Sequence, residues 1–574
     1  MISTPTTLVE ILKWRGKNQS DKLALRFLKD GELDEVTLNY GELDLRARAL
    51  GAQLQVSVKA GERVLLLLPP GLDFIVAYFA CIYSNTIAVP LPPPHPARLE
   101  FTLTNTFRII KDALPTAAIL NPSLYEAILA DTKILNQFRG IKLVLTMEDS
   151  VKDWAESWKE TKIKGDDIAF LQYTSGSTTA PKGVMVSHGN LIHNLGLIEN
   201  SFGQTGKSET VIWLPPYHDM GLIGGILQPL YTGNPVTLIP HLLFLQRPIR
   251  WLQAISRYKA TTSGGPNFAY DLCLRKVRPE QRDLLDLSSW EVAFNGAEPV
   301  SYATMEQFAD YFASCGFRLK SFLPCYGLAE STLLVTGGPK CRLPVAENID
   351  KAGLEKDQVI LTKEKNNATK TVVGCGQIRE NQTIKIVDPE TQKICSPDQI
   401  GEIWVSSPSV AKGYWNKPLE TSSTFGAHFP DSGEGPFLRT GDLGFIHKRE
   451  LFITGRLKSL IIVDGKNYYS HDIERTVQES HPSISPLGCA VFSVENSGKE
   501  QIIVIAEVPF KSLDNTEEVK KSIKRSISEN HDLPVQDIRL VLPGSIPKTT
   551  SGKIKHFVCR QNYLSNTLKE LIHI

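Results

Sequence analysis

The stretch Thr174-Ser-Gly-Ser-Thr-Thr-Ala-Pro-Lys-Gly183 gathers hydroxyls, a glycine and one cation behind an apolar run, Ile168-Ala-Phe-Leu-Gln-Tyr173. Backbone N–H groups and the hydroxyls of Thr174, Ser175, Ser177 and Thr178 can donate to phosphate oxygens. Gly176 allows close backbone approach, and Lys182 adds a point charge. Such a loop suits a polyphosphate. It is not a Walker A loop, because Gly183 follows Lys182 where Ser or Thr belongs. The bland alternative is a polar surface turn rich in loop formers.

Six further stretches could carry chemistry. Trp213-Leu-Pro-Pro-Tyr-His-Asp-Met-Gly221 contains His218, which could equally be a hydrogen-bonded core histidine. Asn295-Gly-Ala-Glu-Pro299 follows a strand pattern, and Asn295, Gly296 and Ala297 are small enough for a flat ring to lie against backbone; alone it is an ordinary turn. Tyr326-Gly-Leu-Ala-Glu330 offers Glu330, a hard oxygen ligand for a hard cation or else a buried carboxylate with a structural partner. Arg439-Thr-Gly-Asp-Leu-Gly444 and Gly455-Arg-Leu-Lys458 read by themselves as an Asp-Gly turn and a surface basic pair. Pro547-Lys-Thr-Thr-Ser-Gly-Lys-Ile554 places Lys553 on a loop, where lysine is ordinarily a solvated charge. Gly221, Gly224, Gly225, Gly264 and Gly265 either line a tunnel or mark close packing.

The elements that must position these residues alternate. Leu23-Ala-Leu-Arg-Phe27, Arg63-Val-Leu-Leu-Leu-Leu68, Ile87-Ala-Val-Pro90, Ala117-Ala-Ile-Leu120 and Lys142-Leu-Val-Leu-Thr146 read as strands, with helical spacing between them. Val211-Ile-Trp-Leu214, Pro235-Val-Thr-Leu-Ile239 and Glu291-Val-Ala-Phe294 continue the rhythm. This predicts an α/β fold built from β-α-β units with parallel sheet. Shorter strands at Thr383-Ile-Lys-Ile-Val387 and Gly401-Glu-Ile-Trp-Val405 suggest a small β subdomain. Residues 344–370 are rich in both charges and read as a solvated excursion. A boundary near 456/457 predicts a large unit, 1–456, and a small α+β unit, 457–574.

Composition narrows the function classes. With 63 basic and 62 acidic residues among 574, net charge recruits neither nucleic acid nor an anionic membrane. Nine cysteines include no Cys-x-x-Cys pair, so neither zinc nor a disulfide framework is expected. The N-terminus lacks a basic region followed by an apolar core, and the apolar region 64–94 is broken by Pro69, Pro70, Gly71 and Asp73. The expectation is a cytoplasmic protein without a membrane span.

Taken in order, these motifs resemble those of the adenylate-forming superfamily, over roughly residues 8–560. Leu91-Pro-Pro-Pro-His-Pro96, His218-Asp-Met-Gly-Leu-Ile-Gly-Gly225, Asn295-Gly-Ala-Glu-Pro-Val300, Tyr326-Gly-Leu-Ala-Glu-Ser331 and Asn467-Tyr-Tyr469 are most similar to its fatty acyl-AMP ligases. The resemblance implies ATP and a fatty acid as substrates and Mg²⁺ as cofactor. It implies acyl transfer to the phosphopantetheine of a separate acyl carrier protein, with an acyl-CoA synthetase or a non-catalytic homologue as alternatives. By resemblance, Thr174, Ser175, Gly176, Ser177, Thr178 and Lys182 hold phosphates. Asn295, Gly296, Ala297, Tyr326 and Gly327 line the adenine pocket, Asp442 takes the ribose and Arg456 reaches the nucleotide. Glu330 holds Mg²⁺, His218 gates an acyl pocket that includes Gly221 and Gly225, Lys458 is the hinge, and Lys553 neutralises charge at the reacting phosphate. Thr179 stands where the family has Gly, and Ala329 where it usually has Thr. Residues 344–370 occupy the place of an insertion that hinders domain rotation and CoA access.

Overall fold

The computed structural model describes residues 5–94, 99–147, 152–174, 181–366, 368–379, 381–463, 466–496, 499–510, 515–531, 533–549 and 553–568. The alternating pattern does build parallel sheet. Leu143–Thr146, Ala117–Leu120, Arg63–Leu67, Ile87–Pro90 and Ile168–Thr174 run parallel in that order, and Lys182–Ser187 closes the edge antiparallel to the last of them. The strands on either side of the phosphate-loop candidate therefore pair antiparallel, with Thr174 opposite Lys182.

A second sheet carries the remaining large-unit strands. Phe322–Gly327, Val292–Asn295, Thr262–Gly265, Thr210–Ile212, Val236–Leu238 and Leu23–Leu28 are parallel neighbours, with Glu35–Asn39 antiparallel at the edge. Antiparallel strands extend the other side through Leu334–Gly337, Thr369–Gln377, Glu450–Arg456, Leu438–His447, Gly401–Ser406 and Thr383–Val387. The short strands expected as a small β subdomain are thus hydrogen-bonded in continuity with the parallel sheet.

The helix Leu72–Tyr83 explains why the two sheets belong to one body. Every residue of it except Asp73 is buried, as an apolar-all-round helix requires. It joins one core with Val64 and Leu66 of the first sheet and Val211 and Val236 of the second. The helix Tyr40–Ser57 begins at a reciprocal cap formed by Asn39 and Glu42.

From Leu460 onward the chain forms the hairpin Leu460–Val463/Lys466–Tyr469 and a sheet of Cys489–Asn496, Lys499–Glu507 and Val535–Val541. The helices Ser470–Ser480, Thr516–His531 and His556–Leu564 pack on them around apolar cores of their own.

Residues 344–370 depart from expectation. Ala346–Asp350 pairs with Thr369–Gln377, and Ile349 and Leu354 are buried together with Val372, Phe445, Phe452 and Tyr469. Lys356, Lys363, Glu364 and Lys365 are exposed while the few apolar positions of the segment make a core, so it is folded rather than solvated throughout. It also reaches across to the C-terminal part. Lys370 Nζ donates to Asp472 Oδ2 at 2.5 Å, Asn467 Nδ2 to Asp357 Oδ2 at 2.8 Å, and Lys466 pairs with Glu355 at 3.1 Å.

Candidate active site

A continuous cleft of about 2440 Å³ runs between the C-terminal ends of the parallel strands and the C-terminal part. Lys182, His218, Ala297, Tyr326, Gly327, Glu330, Asp442, Arg456, Lys458 and Lys553 all line it. Residues far apart in sequence converge because parallel strands deliver their loops to one edge. Ser175, Gly176, Ser177 and Thr178, with Thr179, lie outside the described residues, whereas Thr174 ends its strand and Lys182 begins the return strand.

One wall is a closed hydrogen-bonded set. Tyr326 Oη donates to Asp442 Oδ2 at 2.7 Å, and Arg456 Nε to Asp442 Oδ1 at 2.6 Å. Asp442 is 6% exposed, so the pair of donors satisfies a carboxylate that would be costly if buried alone. Gly327 is required where it stands, since a Cβ would lie 1.9 Å from the Leu333 carbonyl oxygen.

The Asn295–Pro299 turn forms the opposite lip. Asn295 is fully buried and its Nδ2 donates to Asn267 Oδ1 at 3.2 Å. A Cβ on Gly296 would meet the Cys325 carbonyl oxygen at 2.7 Å, which brings the two strand ends together, and Ala297 turns the chain at φ +68°. Within the same turn is Glu298, to which the sequence reading gave no role. Its Oε1 accepts the Phe268 N–H at 2.6 Å, yet burial, opposed by that bond and by Lys553, pushes the carboxyl up to about 7.

Glu330 Oε1 accepts the Tyr414 hydroxyl at 2.8 Å, and Lys182 Nζ stands 4.7 Å from the centroid of the same ring. His218 Nδ1 lies 2.6 Å from Asp219 Oδ1, and Asp219 in turn accepts the Met220 N–H at the start of a π-helical segment, Met220–Leu227. Burial raises the Asp219 carboxyl, but His218, Lys553 and the Met220 N–H outweigh it and hold the group below its usual range.

Lys553 arrives from the C-terminal part. Its loop is closed by two bonds, Thr549 N–H to the Lys553 carbonyl at 2.7 Å and Lys553 N–H to Thr549 Oγ1 at 3.0 Å. The side chain stays open to cleft water but is flanked by protein. Burial and the Arg456 guanidinium pull its ammonium below the usual lysine value, against Asp219, Glu298 and Asp442. Lys553 is thus brought among the residues of three separate large-unit motifs. Lys458 lies on the single turn Leu457–Ser459 that follows the last strand of the large sheet.

The apolar arm of the cleft is lined by Ile198, Phe202, Met220, Gly224, Phe294 and Leu333. Gly221 and Gly225, expected in this pocket, instead turn to protein. A Cβ would lie 2.1 Å from the Pro215 carbonyl oxygen at Gly221 and 2.9 Å from Ile212 Cγ2 at Gly225. The widened π-helical turns put Gly224, not its neighbours, on the cavity face.

Among the described residues no group of three or more His, Cys, Asp or Glu side chains could cage a metal ion. No described helix is long and apolar enough to cross a membrane.

Residues 12–415 match the AMP-binding enzyme family, and 458–573 match the AMP domain of the Disco-interacting protein 2-like family. The chain is 45% identical to JamA, a medium-chain-fatty-acid–[acyl-carrier-protein] ligase of Moorena producens, over 98% of this chain and 96% of that protein. It is 36% identical to TtuA, a ligase of the same description from Teredinibacter turnerae, over 99% and 95%. Among solved structures it is similar to the fatty acyl-adenylate ligase of Legionella pneumophila in complex with acyl adenylate and pyrophosphate. That likeness has a TM-score of 0.77 at 41% identity over 98% of this chain and 96% of that one. The chain belongs to the AMP-binding enzyme family, in the fatty acyl-AMP ligase branch of the adenylate-forming enzymes.

Proposed function

We propose that this ligase joins a fatty carboxylate to the α-phosphate of ATP and then passes the acyl group to the phosphopantetheine thiol of a separate acyl carrier protein. The observation that carries the reading is the convergence of Lys553 with Asp442, Arg456, Asp219 and Glu298 in the cleft that also carries the apolar arm. A carboxylate oxygen attacks the α-phosphorus, the bond to the bridging oxygen of pyrophosphate breaks, and acyl-AMP and pyrophosphate result. Two anionic reactants, the carboxylate and the ATP phosphates, meet there, so positioning and charge neutralisation are what the protein must supply.

In this reading Asp442 turns its remaining lone pairs to the ribose, and Tyr326, Gly296 and Ala297 bound the base. Lys182 and the Thr174–Thr178 loop hold the phosphates, His218 stands at the mouth of the acyl arm, and Lys553 places its ammonium between carboxylate and α-phosphate. A magnesium ion fits the donor set: Glu330 spends one carboxylate oxygen on Tyr414, and a single carboxylate plus substrate phosphates is the usual binding mode of Mg²⁺. Bound there, the ion neutralises phosphate charge. The unit after residue 456 acts as a mobile arm pivoting at Lys458, in a cytoplasmic setting compatible with nine unpaired cysteines.

The choice of acceptor follows from the same reading. Lys370–Asp472, Asp357–Asn467 and Glu355–Lys466 tie segment 344–370 to the arm, which favours a carrier over CoA because CoA transfer in the family uses rotation of that arm. The test is product analysis with ATP, a fatty-acid panel and either CoA or a phosphopantetheinylated carrier. Acyl-AMP that accumulates with CoA and is consumed only by the carrier supports the reading. Prompt acyl-CoA replaces it with the synthetase, and neither product overturns the catalytic assignment.

A further inference from the structure

Tyr414 lies outside every motif considered above, yet it touches both ends of the phosphate machinery. The segment Ala411–Trp415 is wedged between them. On one edge the Ala411 N–H donates to the carbonyl oxygen of Glu330 itself at 2.9 Å. On the other it pairs with the return strand, through Lys412 N–H to Met185 O and Met185 N–H to Gly413 O, both 2.9 Å, and Trp415 N–H to Gly183 O at 2.8 Å. Just beyond, Lys417 Nζ meets Asp112 Oδ1 at 3.1 Å, and Asp112 Oδ2 accepts the hydroxyl of Tyr173 at 2.6 Å. The strand into the phosphate loop, the strand out of it and the Glu330 backbone are therefore all fastened to one segment.

Tyr414 is 6% exposed and meets Phe425 edge-on, with ring centroids 5.1 Å apart, so its ring has one available position. From that position the hydroxyl donates to Glu330 Oε1 at 2.8 Å while the ring face carries the Lys182 ammonium 4.7 Å from its centroid. A lysine and a carboxylate lining one cleft attract each other, and a direct pair would spend both. Here each has its own partner on the same neutral ring, and Glu330 keeps Oε2 free of Tyr414.

We propose that Tyr414 is a positioning residue that holds Glu330 toward the metal and Lys182 over the phosphates, and keeps the two from pairing with each other. This rests on Glu330 as the metal-facing carboxylate.

The test titrates Mn²⁺, followed by its paramagnetic resonance, into the full-length enzyme saturated with a non-hydrolysable ATP analogue. Glu330→Gln gauges the underlying reading and is expected to weaken Mn²⁺ binding. Tyr414→Phe keeps the ring under Lys182 and loses only the hydroxyl. It is expected to raise half-saturating Mn²⁺ about tenfold, the usual scale for a residue that orients a metal ligand, with analogue affinity in the absence of metal unchanged. Tyr414→His, which restores a donor on a ring, should recover part of the loss. If Tyr414→Phe does not fold, Tyr414→Leu removes the same hydroxyl and is expected to give at least the same shift. Mn²⁺ binding in Tyr414→Phe within twofold of the parent, while Glu330→Gln weakens it, overturns the role of Tyr414 alone. No change in either variant overturns the metal reading as well.

Discussion

The two walls of the cleft are built in different ways. On the large-unit side, Asp442 is already bonded to both Tyr326 and Arg456; Tyr326 and Arg456 sit at strand ends, and Asp442 lies within the strand Leu438–His447 in register with Arg456. On the C-terminal side, Lys553 hangs from a short loop closed by two bonds to Thr549, and its surroundings in the cleft are groups of the other wall. The first wall is a property of the sheet; the second is supplied by the C-terminal part, and in the proposed function it is complete only when that part is docked. A site divided this way can bind nucleotide with one half and withhold chemistry until the other arrives.

The largest effect is expected from the docked wall. Lys553→Ala removes the cation from the transition state and should slow acyl-AMP formation by about 10²–10³, roughly 3–4 kcal/mol, with the melting temperature unchanged. Asp442→Ala breaks the other wall, leaving the buried Tyr326 hydroxyl and Arg456 without their shared acceptor. It should cost about 1–3 kcal/mol of stability and weaken ATP binding, read by thermal unfolding and analogue titration. Removal of residues 344–370 with a short linker takes away the three ties to the C-terminal part, along with the core that Ile349 and Leu354 share with Phe445 and Phe452. In a variant shown by thermal unfolding to be folded, acyl-CoA should appear when CoA is supplied.

The smallest effect is a shift of the alkaline limb. In the proposed function Lys553 acts as the ammonium, and its pKa lies below the usual lysine value, so activity should fall as pH rises through that lowered pKa. Glu298, ionised above about 7, supports the ammonium. Glu298→Gln should therefore move the alkaline limb of the rate profile to lower pH, whereas Glu298→Asp should leave it nearer the parent.

Much of the fold was legible because its signals are local. The runs at 63–68, 117–120 and 235–239 announce buried strands, and Asn39 with Glu42 announces a helix start. What escaped depends on tertiary neighbours. Residues 344–370 look solvated by charge count, and only the partners of Ile349 and Leu354 reveal a core. Gly221 and Gly225 carry the composition of a tunnel, but the π-helical turns give that face to Gly224. Tyr414 and Glu298 carry no spacing signal of their own. The pattern Gly413-Tyr-Trp-Asn-Lys-Pro418 could have drawn attention to the first, and the carboxylate of Asn295-Gly-Ala-Glu-Pro299 to the second.

The division of labour between the walls is tested most directly on one protein, Lys553→Ala, by measuring ATP-analogue affinity in the same sample as the single-turnover rate of acyl-AMP formation. The account predicts an affinity within about threefold of the parent and a rate lower by about 10²–10³. An affinity loss as large as the rate loss, or a rate that does not fall, would contradict it.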